Sequence, residues 1–130
     1  LIPDFQGIER HLDKIANVKP EVVSHNMETV RRLTREVRIQ AKYDRSLKVL
    51  QYLKENGIDR TKSGIMLGLG ENEKEVFESL EDLRKNNVDI VTLGQYLQPS
   101  KKHLPVIEYI TPQQFEKYRK IALSLDNSII

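Results

Sequence analysis

The chain has 130 residues, enough for one compact domain and too few for two of ordinary size. Its 38% hydrophobic and 31% charged content excludes a disordered chain, and no apolar run approaches the length needed to cross a bilayer. The 21 basic and 19 acidic residues leave a charge of +2 and are intermixed along helical segments, so no nucleic-acid footprint is indicated; without cysteine, disulfides and thiolate ligation of zinc or iron–sulfur clusters by this chain are excluded.

Leu1 to Phe5 reads as a short strand ending at Gly7, and because residue 1 opens inside this apolar segment the start reads as a cut. Ile8, Leu12, Ile15 and Ala16 then recur at helical spacing until Pro20. Val22 and Val23 predict a brief strand, followed by Asn26 as the cap of a helix whose buried stripe is Val30, Leu33 and Val37. Asp44 is positioned to cap a helix with Leu47, Leu50 and Leu53 inside, closed by Gly57. Lys62 to Leu67 predicts the next strand, and Asn72 with Glu75 forms a capping-box pattern ahead of Val76, Leu80 and Leu83. Val88 to Leu93 predicts a fourth strand. After a long loop from Gln98 to Ile110, Thr111-Pro112-Gln113-Gln114 opens a last helix on Phe115, Tyr118, Ala122 and Leu125.

Strands alternating with helices predict an α/β fold built of parallel βα units. Four strands do not close an eight-stranded barrel, so the expectation is part of a TIM-like barrel. Ligands in such folds bind beyond the carboxyl ends of the strands. That rule gathers Asp4 and Gln6, then Ser24, His25, Asn26 and Glu28, then Gly68 to Glu71, then Gln95, Tyr96 and Gln98 onto one rim. Gly64, Gly68 and Gly70 would let a planar ligand approach the backbone, or would simply make a tight turn. Glu71 suits a helix N-terminus with or without a ligand, and Asn26 and Glu28 suit ribose hydroxyls as well as a cap and a first-turn acid. His25 and His103 lack an evident partner and read as solvated or locally hydrogen-bonded. Arg31, Arg32 and Arg35 read as a solvated face, Arg38 is best placed to reach a carboxylate, and Tyr96 reads either as a stacking surface or as core.

His25-Asn26-Met27-Glu28-Thr29-Val30, Arg45-Ser46-Leu47, Thr61 to Glu71, and Leu93 to Ser100 with His103-Leu104-Pro105-Val106 closely resemble lipoyl synthase. The likeness runs from Leu1 to about Leu123, whereas Gly68-Leu69-Gly70-Glu71 alone would indicate only the wider radical S-adenosylmethionine superfamily. The resemblance implies a partial (β/α) barrel whose rim binds S-adenosylmethionine and two 4Fe-4S clusters. In that family a deoxyadenosyl radical abstracts hydrogen from an octanoyl chain on a lysine of a carrier protein, and the second cluster supplies sulfur. The implied carriers are the glycine cleavage H protein and the E2 subunits of 2-oxoacid dehydrogenases. By matching position, Asn26 and Glu28 would face the ribose, Arg38 the carboxylate, Gly68 and Leu69 the adenine, and Gln95, Tyr96 and Gln98 the substrate side.

The family's Cys-x3-Cys-x2-Cys and Cys-x4-Cys-x5-Cys segments and its C-terminal Arg-Ser-Ser-Tyr element have no counterpart here; Ile39 stands where proline is common, and the likeness fades after Leu123. Residues 1–125 are therefore expected to be the C-terminal portion of a radical barrel, residues 126–130 a divergent tail, and the chain inactive alone, with the missing N-terminal part of the barrel, the carrier and neither nucleic acid nor membrane as its partners. A binding module for S-adenosylmethionine or the carrier, and a structural remnant, are the rival readings; biotin synthase is the rival enzyme, against which Gly94 to Pro99 argues. Bacterial or archaeal cytoplasm, mitochondrion and plastid are all consistent locations.

Overall fold

Three parallel strands, β1 (Val22–Ser24), β2 (Arg60–Leu67) and β3 (Ile90–Gln95), form a sheet of order β1-β2-β3 in the computed structural model, which describes residues 1–38 and 42–125. Val22 pairs with Arg60, Lys62 with Ile90 and Leu67 with Gln95. The helices are α1 (Glu9–Val18), a 3-10 turn at Arg31–Leu33 running into α2 (Thr34–Val37), α3 (Tyr43–Glu55), α4 (Glu73–Lys85) and α5 (Pro112–Ser124). This is the expected α/β arrangement of a partial barrel, with three strands rather than four.

Pleating sends alternate β2 side chains to opposite faces. Thr61, Ser63, Ile65 and Leu67 are buried, and one cluster joins Ile65, Leu67, Val91 and Leu93 to Leu47, Leu50, Val76, Leu80, Leu83, Tyr118 and Ala122 from the helices. A second cluster joins Val23 to Leu12, Ala16, Val49, Leu53 and Ile58. The opposite face enters these clusters only through Met66, and Thr92 and Gly94 on it are exposed. Helices thus cover one face of the sheet and leave the other bare, as the staves of a barrel do.

The capping signals at α4 and α5 form as the residues predict: Asn72 accepts from the Glu75 N–H while Glu75 accepts from the Asn72 N–H, and Thr111 caps Gln114 ahead of Pro112. Gly57, at φ +98°, follows α3 as expected. Four expectations are corrected. Leu1 to Phe5 is not a strand: Pro3 has no N–H to give, Asp4 accepts from the Gln6 N–H, and the chain turns through a 3-10 turn at Phe5–Gly7, leaving one strand-like bond from the Ile2 N–H to the Ser24 carbonyl. Asn26 caps no helix, because its segment continues along β2. Asp44 lies inside α3, whose cap is Lys42, and pairs instead with Arg31 at 2.8 Å. β3 begins two residues later than expected, since Val88 is buried below the sheet and the Asp89 carboxylate takes the Thr61 N–H. Ile39 and the tail at 126–130 lie outside the described residues.

Candidate functional site

Beyond Ser24 the chain keeps pairing with β2 but gains one residue on it. Ser24 lies opposite Lys62, and Glu28 lies opposite Ile65, so four steps on one strand match three on the other. This is a bulge. Glu28 occupies its end at φ +68°, a conformation in which few residues other than glycine are found, with its N–H on the Gly64 carbonyl and its carbonyl taking the Met66 N–H. The Met27 N–H, turned off the ladder, is caught by the Ser63 hydroxyl at 3.1 Å.

The bulge presents Asn26 on the bare face. An added Cβ at Gly64 would lie 3.0 Å from Thr92 Oγ1 and 3.1 Å from Asn26 Oδ1, so a carboxamide and a hydroxyl converge over a stretch of backbone without a side chain. Glu28 is close enough to pull on both His25 and Arg38 electrostatically. Arg38, half-buried after α2, donates through Nη1 to the Met27 carbonyl at 3.0 Å and to Ser46 Oγ at 3.2 Å. Burial lowers its pKa, against the pull of Glu28 and Asp4 and with that of Arg45. Among the described residues its other nitrogens have no hydrogen bond within the chain.

His25 is not a solvated loop histidine. It is 2% exposed, and its two nitrogens reach Ile2 O at 3.1 Å and Ser46 Oγ at 2.8 Å. A carbonyl only accepts, so Nδ1 carries the proton and Nε2 accepts from the Ser46 hydroxyl. Burial, the largest influence, pushes the ring pKa below the ordinary imidazole value. Asp4 is held below the usual carboxylate range: burial would raise it, but the Gln6 N–H and the Arg45 guanidinium at 2.9 Å prevail. Asp4, Gln6, His25, Arg38, Lys42 and Arg45 line a cleft of about 490 Å³ beside the bulge.

Around the ends of β2 and β3 the polar groups are engaged with one another. Glu71 accepts from the Gly68 N–H at 2.7 Å and, more weakly, from Leu69. Gly68 sits at φ +103° beneath the Gln95 amide and the Glu108 carbonyl, and its own carbonyl takes the Ile107 N–H. Gln95 donates to the Glu108 carbonyl and accepts from the Ile110 N–H, strapping the 104–110 segment across the strand ends. Leu69 and Tyr96 are core residues, Tyr96 donating to the Leu104 carbonyl at 2.7 Å. Gln98 is exposed and donates to the His103 carbonyl, while His103 bonds Ser100 locally, as expected. Arg32 clamps Glu75 and the Gly70 carbonyl, and Arg31 lies over the Tyr43 ring, so neither is merely solvated.

The structure therefore brings Asn26, Glu28 and Arg38 together at the bulge and sets Gly68, Leu69, Gln95 and Tyr96 into the strapped end of the sheet. Sequence reasoning missed Thr92 and Ser46. Ser46 carried a signal: it occupies the inner stripe of α3 with Val49, Leu50 and Leu53, where a polar residue needs a buried partner.

The pattern of the Radical SAM superfamily matches residues 2–94. Over 125 residues, 96% of the chain, it is 75% identical to a lipoyl synthase of Christiangramia forsetii and 75% identical to a mitochondrial lipoyl synthase of Nematostella vectensis, covering 43% of each. A lipoyl synthase of Bacillus mycoides is 57% identical over 122 residues, 93% of the chain and 41% of that protein. The chain spans a little over two fifths of the length of these curated relatives.

Proposed function

Because the chain belongs to the radical SAM superfamily, with lipoyl synthases as its relatives, we propose that it is the later part of the barrel of such an enzyme and holds S-adenosylmethionine for sulfur insertion into a protein-bound octanoyl chain. The observation that carries this reading is the bulge, which sets the Asn26 carboxamide against the bare backbone of Gly64, carries Glu28 at its end and holds Arg38 through the Met27 carbonyl. Those groups fit the cofactor: Asn26 and Glu28 suit paired ribose hydroxyls, and the uncommitted edge of Arg38 suits a carboxylate. At the other part of the rim Gln95 and the exposed Gln98 would face adenine and substrate, with Gly68, Leu69 and Tyr96 packed behind them. Bound S-adenosylmethionine supplies the group that takes up hydrogen as C–H bonds of the octanoyl chain give way to C–S bonds.

The iron–sulfur clusters do not fit this chain. It has no cysteine, and among the described residues no three His, Asp or Glu side chains converge on a metal. Cluster binding and sulfur donation are therefore assigned to the part of the enzyme that this chain does not contain. What its own residues do is bind and orient. The octanoyl-bearing carrier domain is the partner this reading names, in a bacterial cytoplasm or in a mitochondrion, the setting of the Nematostella relative.

The test exchanges the matching segment of the Christiangramia forsetii enzyme for residues 1–125 of this chain and offers the chimera an octanoyl-lysine peptide. Mass spectrometry is expected to show two sulfurs gained and two hydrogens lost, and Glu28→Gln is expected to abolish the gain. A folded chimera with its clusters assembled that leaves the peptide at its starting mass refutes the reading.

A further inference from the structure

Arg38 does not stand alone. Its Nη1 is fixed from two sides, by the Met27 carbonyl within the bulge and by Ser46 Oγ on α3. Ser46 is fully buried, and a hydroxyl that accepts from Arg38 must place its own proton elsewhere; His25 Nε2, at 2.8 Å, is where it goes. The Nδ1–H of that ring ends on the Ile2 carbonyl, and the Ile2 N–H ends on the Ser24 carbonyl, which closes the chain back onto β1. Every donor points the same way, from Arg38 through Ser46 and His25 to Ile2. The relay is built from four separate segments, and it borders the cleft that Arg38 and His25 line with Asp4 and Lys42.

We propose that Ser46 and His25 are positioning residues that aim Arg38 at the carboxylate of the bound cofactor. This rests on the reading given under Proposed function. A guanidinium on a long side chain has considerable rotamer freedom, and holding one nitrogen in a buried hydroxyl and a buried carbonyl leaves the remaining N–H groups in a fixed fork. The neutral ring matters to this arrangement: only an unprotonated Nε2 accepts from Ser46, and a second cation beside Arg38 would repel it. Neither residue touches the ligand.

Calorimetric titration of the full 130-residue chain with S-adenosylmethionine and with methylthioadenosine, which has the same nucleoside but no carboxylate, separates the alternatives. Ser46→Ala is expected to weaken S-adenosylmethionine about fivefold, the worth of one ordinary hydrogen bond, and to leave methylthioadenosine unchanged. Should the alanine variant fail to fold, Ser46→Cys keeps the shape, weakens the hydrogen bonds and carries the same expectation. Equal losses for both ligands, or no loss for either, overturn the positioning role. A wild-type chain that binds neither ligand overturns the reading of the bulge itself, and the role of Ser46 and His25 falls with it.

Discussion

Three glycines in this chain separate two effects that are usually confounded, and Gly68→Ala is the informative substitution. Gly57 is at φ +98° with nothing within 4 Å of an added Cβ, so Gly57→Ala tests backbone conformation alone, about 1–2 kcal/mol. Gly94 lies in a strand, has nothing within 4 Å and needs no positive φ, so Gly94→Ala is expected to be neutral or to stabilise by about 0.5 kcal/mol. Gly68 combines a φ of +103° with a Cβ position that falls inside contact distance of the Gln95 amide and the Glu108 carbonyl. Relief requires the strap to lift, which gives up the hydrogen bonds from Ile107 to Gly68 and from Gln95 to Glu108, and loosens that from Ile110 to Gln95. At about 0.5–1.5 kcal/mol for each bond, added to the conformational cost, the loss comes to about 2–6 kcal/mol. That is a large share of the roughly 5–15 kcal/mol that holds a domain together. Urea unfolding of the three variants in one buffer, followed by circular dichroism, reads the difference. If Gly68→Ala unfolds within about 0.5 kcal/mol of Gly57→Ala, the strap is not held against Gly68 and the account of that end of the sheet is wrong.

Two further outcomes follow from particular groups. Burial depresses the His25 pKa, with Arg38 adding to the effect and the Ile2 carbonyl, Asp4 and Glu28 opposing it. The unfolded chain therefore takes up a proton below about pH 6.5 that the folded chain refuses until lower pH, so this contribution to stability is complete above about pH 6.5 and drains away as the pH falls through the folded value. The urea midpoint of the wild type is expected to fall between pH 7.5 and 5.5 more steeply than that of His25→Gln; parallel losses would count against a buried neutral ring. Asn72→Ala removes one half of the capping box of α4 and is expected to cost about 1 kcal/mol in thermal unfolding, against almost nothing for the exposed Lys74→Ala, and equal effects would discount the cap.

What the residues revealed in advance was whatever depends on neighbours a few positions away. Asn72 with Glu75 and Thr111 with Pro112 announce their helices because cap and capped group sit three residues apart. The apolar run before Gly68 announces β2 for a similar reason. The turn at Asp4 was also local: Pro3, Asp4 and Gly7 are turn residues, and the apolar Leu1, Ile2 and Phe5 obscured them. The bulge was not legible, since Ser24 to Glu28 has no alternating pattern of its own and takes its path from β2, more than thirty residues on. His25 misled for the same reason, its partners being 21 and 23 residues away. Family likeness pointed to Asn26, Glu28 and Arg38, but only packing shows that Gln95 and Tyr96 spend their polar atoms on the strap.

Each strand is bonded to the next one along the chain, and each is carried there by the helical segment between them. Among the described residues no strand pairing therefore skips over an intervening strand. As the chain emerges during synthesis, β2 finds β1 already made, and β3 then finds β2, so the sheet grows by accretion at one edge. The first residues are tied back by the Ile2 clip on Ser24 and His25 and by the Asp4–Arg45 ion pair, whose partners have all been synthesised once Ser46 has left the ribosome. The structure is thus suited to ordered, vectorial assembly, in which every new stave is laid against one already standing.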